Sequence, residues 1–295
     1  MGRSNAGGHR ENEMKITTLI ENDPPEGRDD LIAEFGLSLH VQTDGRQILF
    51  DTGASGAFAD NAEALGIDLE KVNAAVLSHH HFDHGGGLGR FLEANHRAPI
   101  YLRDAEPADR FFKALAILKR PIGLDLALLG RSRDRFEFID GETEVADGVH
   151  LITEIESAHP LPKGNLHLFV AREGELIPDP FDHELVMVII EDDGMAVFSG
   201  CSHHGILNMV EAAAARFSGV PIKAVIGGFH LIGLPIFNTM AASRGEVEAM
   251  GRRLLEMGPQ KVYTAHCTGA KAFKILHSVM GDILEPFQTG SVVEV

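Results

Sequence analysis

Cysteine is nearly missing from this chain: Cys201 and Cys267 are the only two in 295 residues. So few thiols cannot build a disulfide framework at this length, which points to a reducing compartment and a cytoplasmic location. Long apolar runs are missing too. The longest, residues 185–190, has the length of a strand and falls far short of the roughly 18 residues a membrane span needs. The first eight residues lack the apolar stretch of a secretory signal, and Ala6 stands where a myristoylation motif wants Ser or Thr. No membrane partner is expected. Basic residues are also scarce, with 26 Lys and Arg against 43 Asp and Glu and a net charge of −17. Nucleic-acid recognition rests on clustered cations, so that balance argues against it and leaves a small molecule as the expected partner. Histidine, by contrast, is abundant: there are 16, and four fall between positions 79 and 84.

Hydrophobic residues at 44% and charged residues at 23% are those of a folded globular chain. Residues 1–13 are Gly-, Asn- and charge-rich without periodicity and read as a disordered leader; residues 14–295 read as one domain. Strands are expected near 15–20, at 37–41 and 47–50 as a hairpin, and over 71–77, 99–102, 149–154, 166–171, 185–191, 196–198, 223–226 and 261–264. Helices are expected over 57–65, 88–94, 105–118, 206–217 and 245–257. The stretch from 119 to 135 reads as a lid or substrate loop. The two halves look like equivalent sheet-plus-helix layers, which predicts an α/β protein built as a four-layer αββα sandwich of two mixed sheets flanked by helices.

Four of the strands end in histidine-bearing loops, at His79-His80-His81-Phe82-Asp83-His84, Cys201-Ser202-His203-His204, Gly227-Gly228-Phe229-His230 and Ala265-His266-Cys267. The carboxyl ends of buried strands are where α/β proteins place sites. In an extended segment His79 and His81 project to one side, and the turn after them can bring Asp83 and His84 to the same cavity. Imidazole with carboxylate suits zinc, iron or manganese, and one such loop can serve two adjacent subsites. Gly85, Gly86 and Gly87 give the turn room for close approach. His80 and His204 are expected to point away. Asp51 is expected to fix the histidine loop by hydrogen bonds, with direct metal contact as the alternative. Cys201 is either a thiolate ligand or a small buried support of its turn. His230 either orients a leaving group or caps its loop. The glycines at 85–89 lack the lysine of a phosphate loop, and Gly200-Cys-Ser202 is not a serine-hydrolase elbow. The acidic stretches 21–30 and 173–182 read as solvated faces.

With Asp51-Thr52-Gly53 upstream of the histidine–aspartate motif, the sequence resembles the metallo-β-lactamase-fold superfamily. More narrowly, Ser199-Gly-Cys-Ser-His203, Gly205-Ile-Leu-Asn208, Ile226-Gly-Gly-Phe-His-Leu231 and His266-Cys-Thr-Gly269 resemble its dihydropterin-methyl-ribofuranosylaminobenzene-phosphate synthase-like branch. The resemblance covers most of residues 14–295. It implies two divalent ions, zinc first with manganese or iron as alternatives. His79, His81 and a third histidine would hold one, and Asp83, His84 and His266 the other. His203 and His159 are the candidates for the third histidine, and His203 is preferred because it lies just past a strand end in a motif shared with the branch. Many superfamily members carry an acidic bridging ligand where Cys201 stands here.

Such a site predicts metal-dependent hydrolysis of an ester, lactone or phosphodiester bond, with Asp83 orienting the nucleophile and passing its proton to the leaving group. The branch implies an alternative, transfer of a dihydropterin-methyl group to a ribofuranosylaminobenzene phosphate. A third reading is a metal-dependent ligand-binding effector without turnover. A redox diiron relative would carry Glu at position 81 and an added flavin domain. The substrate wall is expected from residues 100–165 and 229–238, and the apolar segment 231–237 is compatible with a homodimer.

Overall fold

The computed structural model describes residues 13–23, 27–114, 118–234 and 239–295. The expected leader lies outside them but for Glu13, as do residues 235–237 of the apolar segment. Strand alternation builds the layers. Leu39 and Val41 of the Ser38–Thr43 strand, with Ile48 and Phe50 of Arg46–Phe50, face one core, whereas Leu49 faces the opposite way onto helices. Met187 and Ile189 of Val186–Glu191, with Ala196 and Phe198 of Gly194–Phe198, face that same core from the other side, and Val186, Val188, Met195 and Val197 turn away. Period-two alternation in two apolar sheets therefore produces a shared inner core and two outer ones.

The first sheet runs, in spatial order, Val292–Glu294, Lys15–Ile20, Ser38–Thr43, Arg46–Phe50, Ala74–Val76, Ile100–Arg103 and Phe136–Ile139. The second runs Leu284–Pro286, Lys261–Thr264, Ile222–Ile226, Gly194–Phe198, Val186–Glu191, Val149–Ile152 and Thr143–Ala146. Helices Ala57–Ala64 and Leu88–Ala94 cover the first. Helices Ile206–Arg216, Arg244–Glu256 and Ala270–Met280 cover the second. The αββα sandwich is therefore present. In each sheet the strands leading into the histidine loops are parallel to their neighbours, from Arg46–Phe50 to Phe136–Ile139 and from Gly194–Phe198 to Leu284–Pro286. Their carboxyl ends, where Asp51, His79, Cys201, His230 and His266 follow, gather at one edge of the sandwich.

The expected helix over 105–118 is not formed. Arg110–Ala114 is a strand of a third sheet, ordered Glu175–Pro178, Leu168–Arg172, Arg110–Ala114 and Leu118–Pro121. Its Ala, Leu, Lys and Phe content suits a helix locally, but Arg110, Phe111 and Phe112 pair with Val170, Phe169 and Leu168, and non-local pairing overrides propensity. The helix Ala270–Met280, not expected from the sequence, seats Ala272, Leu276 and Met280 in the second outer core. Among the described residues no helix is long and apolar enough to cross a membrane.

Candidate metal centre

The loops at the strand ends hold a buried set of imidazoles in one tautomer. Ser78 Oγ donates to Asp51 Oδ2 at 2.7 Å and so accepts from His79 Nδ1 at 2.9 Å. His203 Nδ1 donates to Asn165 Oδ1 at 3.0 Å, and His266 Nδ1 to Asn22 Oδ1 at 2.9 Å. Each ring thus spends its N–H on an outer partner and directs the Nε2 lone pair inward. The Nε2 atoms of His79, His81, His203 and His266 are all buried without a hydrogen-bond partner. Leaving buried nitrogens unpaired costs about 1–3 kcal/mol each, a cost a cation at their focus would offset.

Two groups emerge. His79, His81 and His203 bring their ligand atoms within 4.8 Å of one another, and so do Asp83, His84, Cys201 and His266. Cys201 also groups with His203 and His230, so its sulfur lies between the two sets. Its Sγ is 3.2 Å from His84 Nε2, and burial pushes its thiol up. The expected position of a bridging acid is thus occupied by sulfur. The Asp51 carboxylate accepts from Ser78 N at 2.8 Å, Ser78 Oγ at 2.7 Å and His84 Nδ1 at 2.6 Å, and it belongs to neither ligand group. His80 and His204 belong to no group. His204 Nδ1 donates to Glu184 Oε2 at 2.7 Å, and the His80 ring stacks on His183 at 5.3 Å. His159 is placed elsewhere, with Nε2 on Glu211 Oε1 at 2.8 Å.

Charge follows from this packing. Burial, then the neighbouring imidazoles, holds His79, His81 and His203 well below the ordinary histidine value, so they are neutral and ready to ligate. Burial opposes ionisation of Asp83, but the His84 cation outweighs it and holds the carboxyl well below its usual range. Burial likewise opposes a charged His84, yet Asp51 and Asp83 prevail and push it up from 6.5 to about 9. A raised folded value means that the His84 cation stabilises the metal-free fold in full below about pH 6.5, and that this stabilisation disappears as pH rises through about 9. Urea unfolding of metal-stripped protein should therefore show a loss on the order of 3 kcal/mol across that window; a flat profile would contradict the Asp51–His84 ion pair.

Several supports escaped the sequence reading. Glu184, fully buried, accepts from His203 N at 2.7 Å and His204 N at 2.8 Å, shaping the turn that presents His203. His183 Nδ1 accepts from His80 N at 3.0 Å, and its Nε2 lies 3.3 Å from Asp179 Oδ2, with Arg110 Nε 3.5 Å from the same oxygen. Phe181 stacks on His203 at 4.4 Å and 8°. Asp179 and Phe181, from the stretch 173–182 expected on a solvated face, thus join His183 and Glu184 in cradling the histidines. Glu21, expected on the other acidic face, is also buried and accepts from His266 N at 2.7 Å. The signal available was position: each lies beside a strand, Glu21 just after Lys15–Ile20 and Glu184 just before Val186–Glu191.

The glycines do provide the close approach. A Cβ on Gly87 would lie 2.3 Å from Thr52 O and 2.4 Å from Ser55 O, both backbone atoms. Gly87→Ala is expected to cost about 1–3 kcal/mol in denaturant unfolding; a neutral change would show that this turn can shift.

The profile of the metallo-beta-lactamase superfamily matches residues 32–210, which spans the Asp51 turn, the histidine loop and the Cys201–His203 turn. This chain belongs to the metallo-β-lactamase superfamily. It is similar to the 7,8-dihydropterin-6-methyl-4-(β-D-ribofuranosyl)-aminobenzene-5'-phosphate synthase of Methanocaldococcus jannaschii, with 28% identity covering 95% of this chain and 96% of that protein. The crystal structure of Tm1679, a metal-dependent hydrolase of the β-lactamase superfamily, is also similar, with TM-score 0.78 and 30% identity over 96% of this chain and 99% of that one. YhfI of Bacillus subtilis, at 17% identity and TM-score 0.57 over 96% and 100% of the two chains, shares the fold. The narrower resemblance read from the Cys201–His203 and His266–Gly269 motifs thus agrees with the synthase relative.

Above the two candidate ligand groups opens a cavity of ≈ 380 Å³. Asp83, Cys201, His203 and His230 reach it from the sandwich. Phe112, Leu118 and Leu168 of the third sheet wall it opposite, with Phe35 and Phe82. Among the described residues Arg120 is the one Lys or Arg in the lining. Leu118, Arg120, Pro121 and Ile122, in and beside the stretch expected as a substrate loop, line this cavity.

Proposed function

We propose that this chain is an enzyme whose two adjacent metal sites, His79–His81–His203 and Asp83–His84–Cys201–His266, break an ester, lactone or phosphodiester bond in a small molecule. The observation that carries this reading is the convergence of unpaired, buried Nε2 atoms beside an ionised aspartate, facing a cavity of ≈ 380 Å³. That size suits one small molecule, and the mostly apolar walls with one cation favour a flat or acyl body carrying an anionic group. Bound zinc, or manganese or iron, would supply an activated water and stabilise developing negative charge on the substrate oxygen. Asp83 holds the nucleophile's proton at its carboxylate and delivers it towards the leaving group. His230, whose two ring nitrogens have no protein partner, hydrogen-bonds that leaving group. The third sheet excludes water by closing the apolar side.

A second reading draws on the synthase relative, aligned over 95% of this chain. The same groups would then serve transfer of a dihydropterin-methyl unit to the nitrogen of a ribofuranosylaminobenzene phosphate. A C–N bond forms, the C–O bond to a pyrophosphate breaks, and the amine proton leaves. Plasma mass spectrometry of purified protein should find about two metal ions per chain, falling towards one in His203→Ala; one ion or none in the unaltered protein would overturn the binuclear reading. Incubation with the pterin pyrophosphate then separates the two, since loss of the donor without acceptor supports hydrolysis and strict dependence on acceptor supports transfer.

A further inference from the structure

His230 stands between two cavities, and among the described residues it alone lines both. The first is the cavity above the metal centre. The second, of ≈ 370 Å³, lies between residues 159–163 and the helix Arg244–Glu256. Its walls include Pro160, Ile206, Phe229, Val247 and Met250. The charged groups at its rim are satisfied within the protein: Lys163 Nζ lies 2.6 Å from Glu246 Oε1, His159 Nε2 2.8 Å from Glu211 Oε1, and Arg253 Nη2 3.2 Å from Glu211 Oε1. A ligand there meets apolar surface and no unpaired charge, so an ionic group would lose its hydration without compensation.

Among the described residues lining that cavity, His230 is the one with buried side-chain nitrogens that lack a hydrogen-bond partner. Its Nδ1 and Nε2 are both buried and unbonded, its φ is +48°, and its ring packs 4.3 Å from that of His203. A Cβ on Gly164 would lie 2.8 Å from His230 Nε2, so this glycine is what leaves the ring its space. A reaction of one substrate with water needs only the cavity above the metals. Two cavities of nearly equal size meeting at an unsatisfied imidazole suit two organic reactants.

We propose that the second cavity binds the uncharged arylamine ring of a second substrate, with its amine donating to His230. This rests on the transfer reading of the site. The probe is aniline, titrated into zinc-loaded full-length protein with methyl NMR as the readout. Saturable shifts at Leu161, Leu207 and Met250, which line the second cavity only, are expected without matching shifts at Leu118 and Leu168, which line the first only. Toluene, of the same shape without the amine, should bind about tenfold more weakly, and His230→Phe should abolish that difference. Shifts confined to Leu118 and Leu168, no saturable shifts at all, or equal affinity for the two probes would overturn the proposal. Acceptor-independent consumption of the pterin donor would overturn the transfer reading while leaving the aniline titration to stand or fall separately.

Discussion

Asp51→Ala should remove roughly 3–5 kcal/mol of stability from the metal-free protein, a large share of the ~5–15 kcal/mol a folded domain has. The carboxylate is fully buried and accepts three hydrogen bonds, from Ser78 N, Ser78 Oγ and the His84 ring. Without it the Ser78 amide loses its partner and the His84 cation is left in the interior beside Asp83 alone. The backbone adds to the loss, because Asp51 sits at φ +60°, where aspartate is tolerated better than alanine. Asp51→Asn keeps the shape and an acceptor, so it should cost clearly less than alanine while lowering the His84 value and flattening the pH dependence of stability. Urea unfolding of both variants, stripped of metal, checks this. A loss below about 1 kcal/mol in the alanine variant would mean that the network is satisfied by water.

The sandwich was legible because its strands are written locally. Runs such as Val186–Ile190 and Ala196–Phe198 alternate between two apolar faces, and the strands Ala74–Val76, Gly194–Phe198, Ile222–Ile226 and Lys261–Thr264 each run within five residues into a histidine. The ligand candidates were legible for the same reason, since the strand that positions each one precedes it immediately. What holds those candidates was not legible. Asn165 and Asn22 fix His203 and His266 from 38 and 244 residues away, and no local pattern marks an asparagine as an acceptor for a distant ring. Residues 105–118 misled because their helix-favouring composition is overruled by pairing with Leu168–Arg172. The acidic stretch 173–182 misled in a related way. Its first residues are exposed, as the charge count suggests, but Asp179 turns inward because Arg110 and His183 await it there. Charge alone therefore does not distinguish a solvated face from a buried ion pair; the partner does.

Asp83→Asn should separate chemistry from structure more sharply than any other substitution. Asp83 Oδ2 lies 3.4 Å from His266 Nε2 and 3.8 Å from His84 Nε2, and the residue lines the cavity above the metals. Because the neighbouring His84 cation keeps the carboxyl ionised, asparagine removes one full negative charge at nearly constant volume. Proton transfer to the leaving group is lost with it. Metal-loaded variant is expected to turn over bis(4-nitrophenyl) phosphate about 10²–10⁴-fold more slowly than the unaltered protein. Metal content, measured on the same sample, identifies the cause. If turnover falls while the ion count holds, Asp83 acts on the reaction; if both fall together, it acts as a ligand; unchanged turnover at full occupancy would remove it from the mechanism. Asp51, which reaches the site only through Ser78 and His84, should show the opposite pattern, with stability and metal retention failing before turnover per bound metal does.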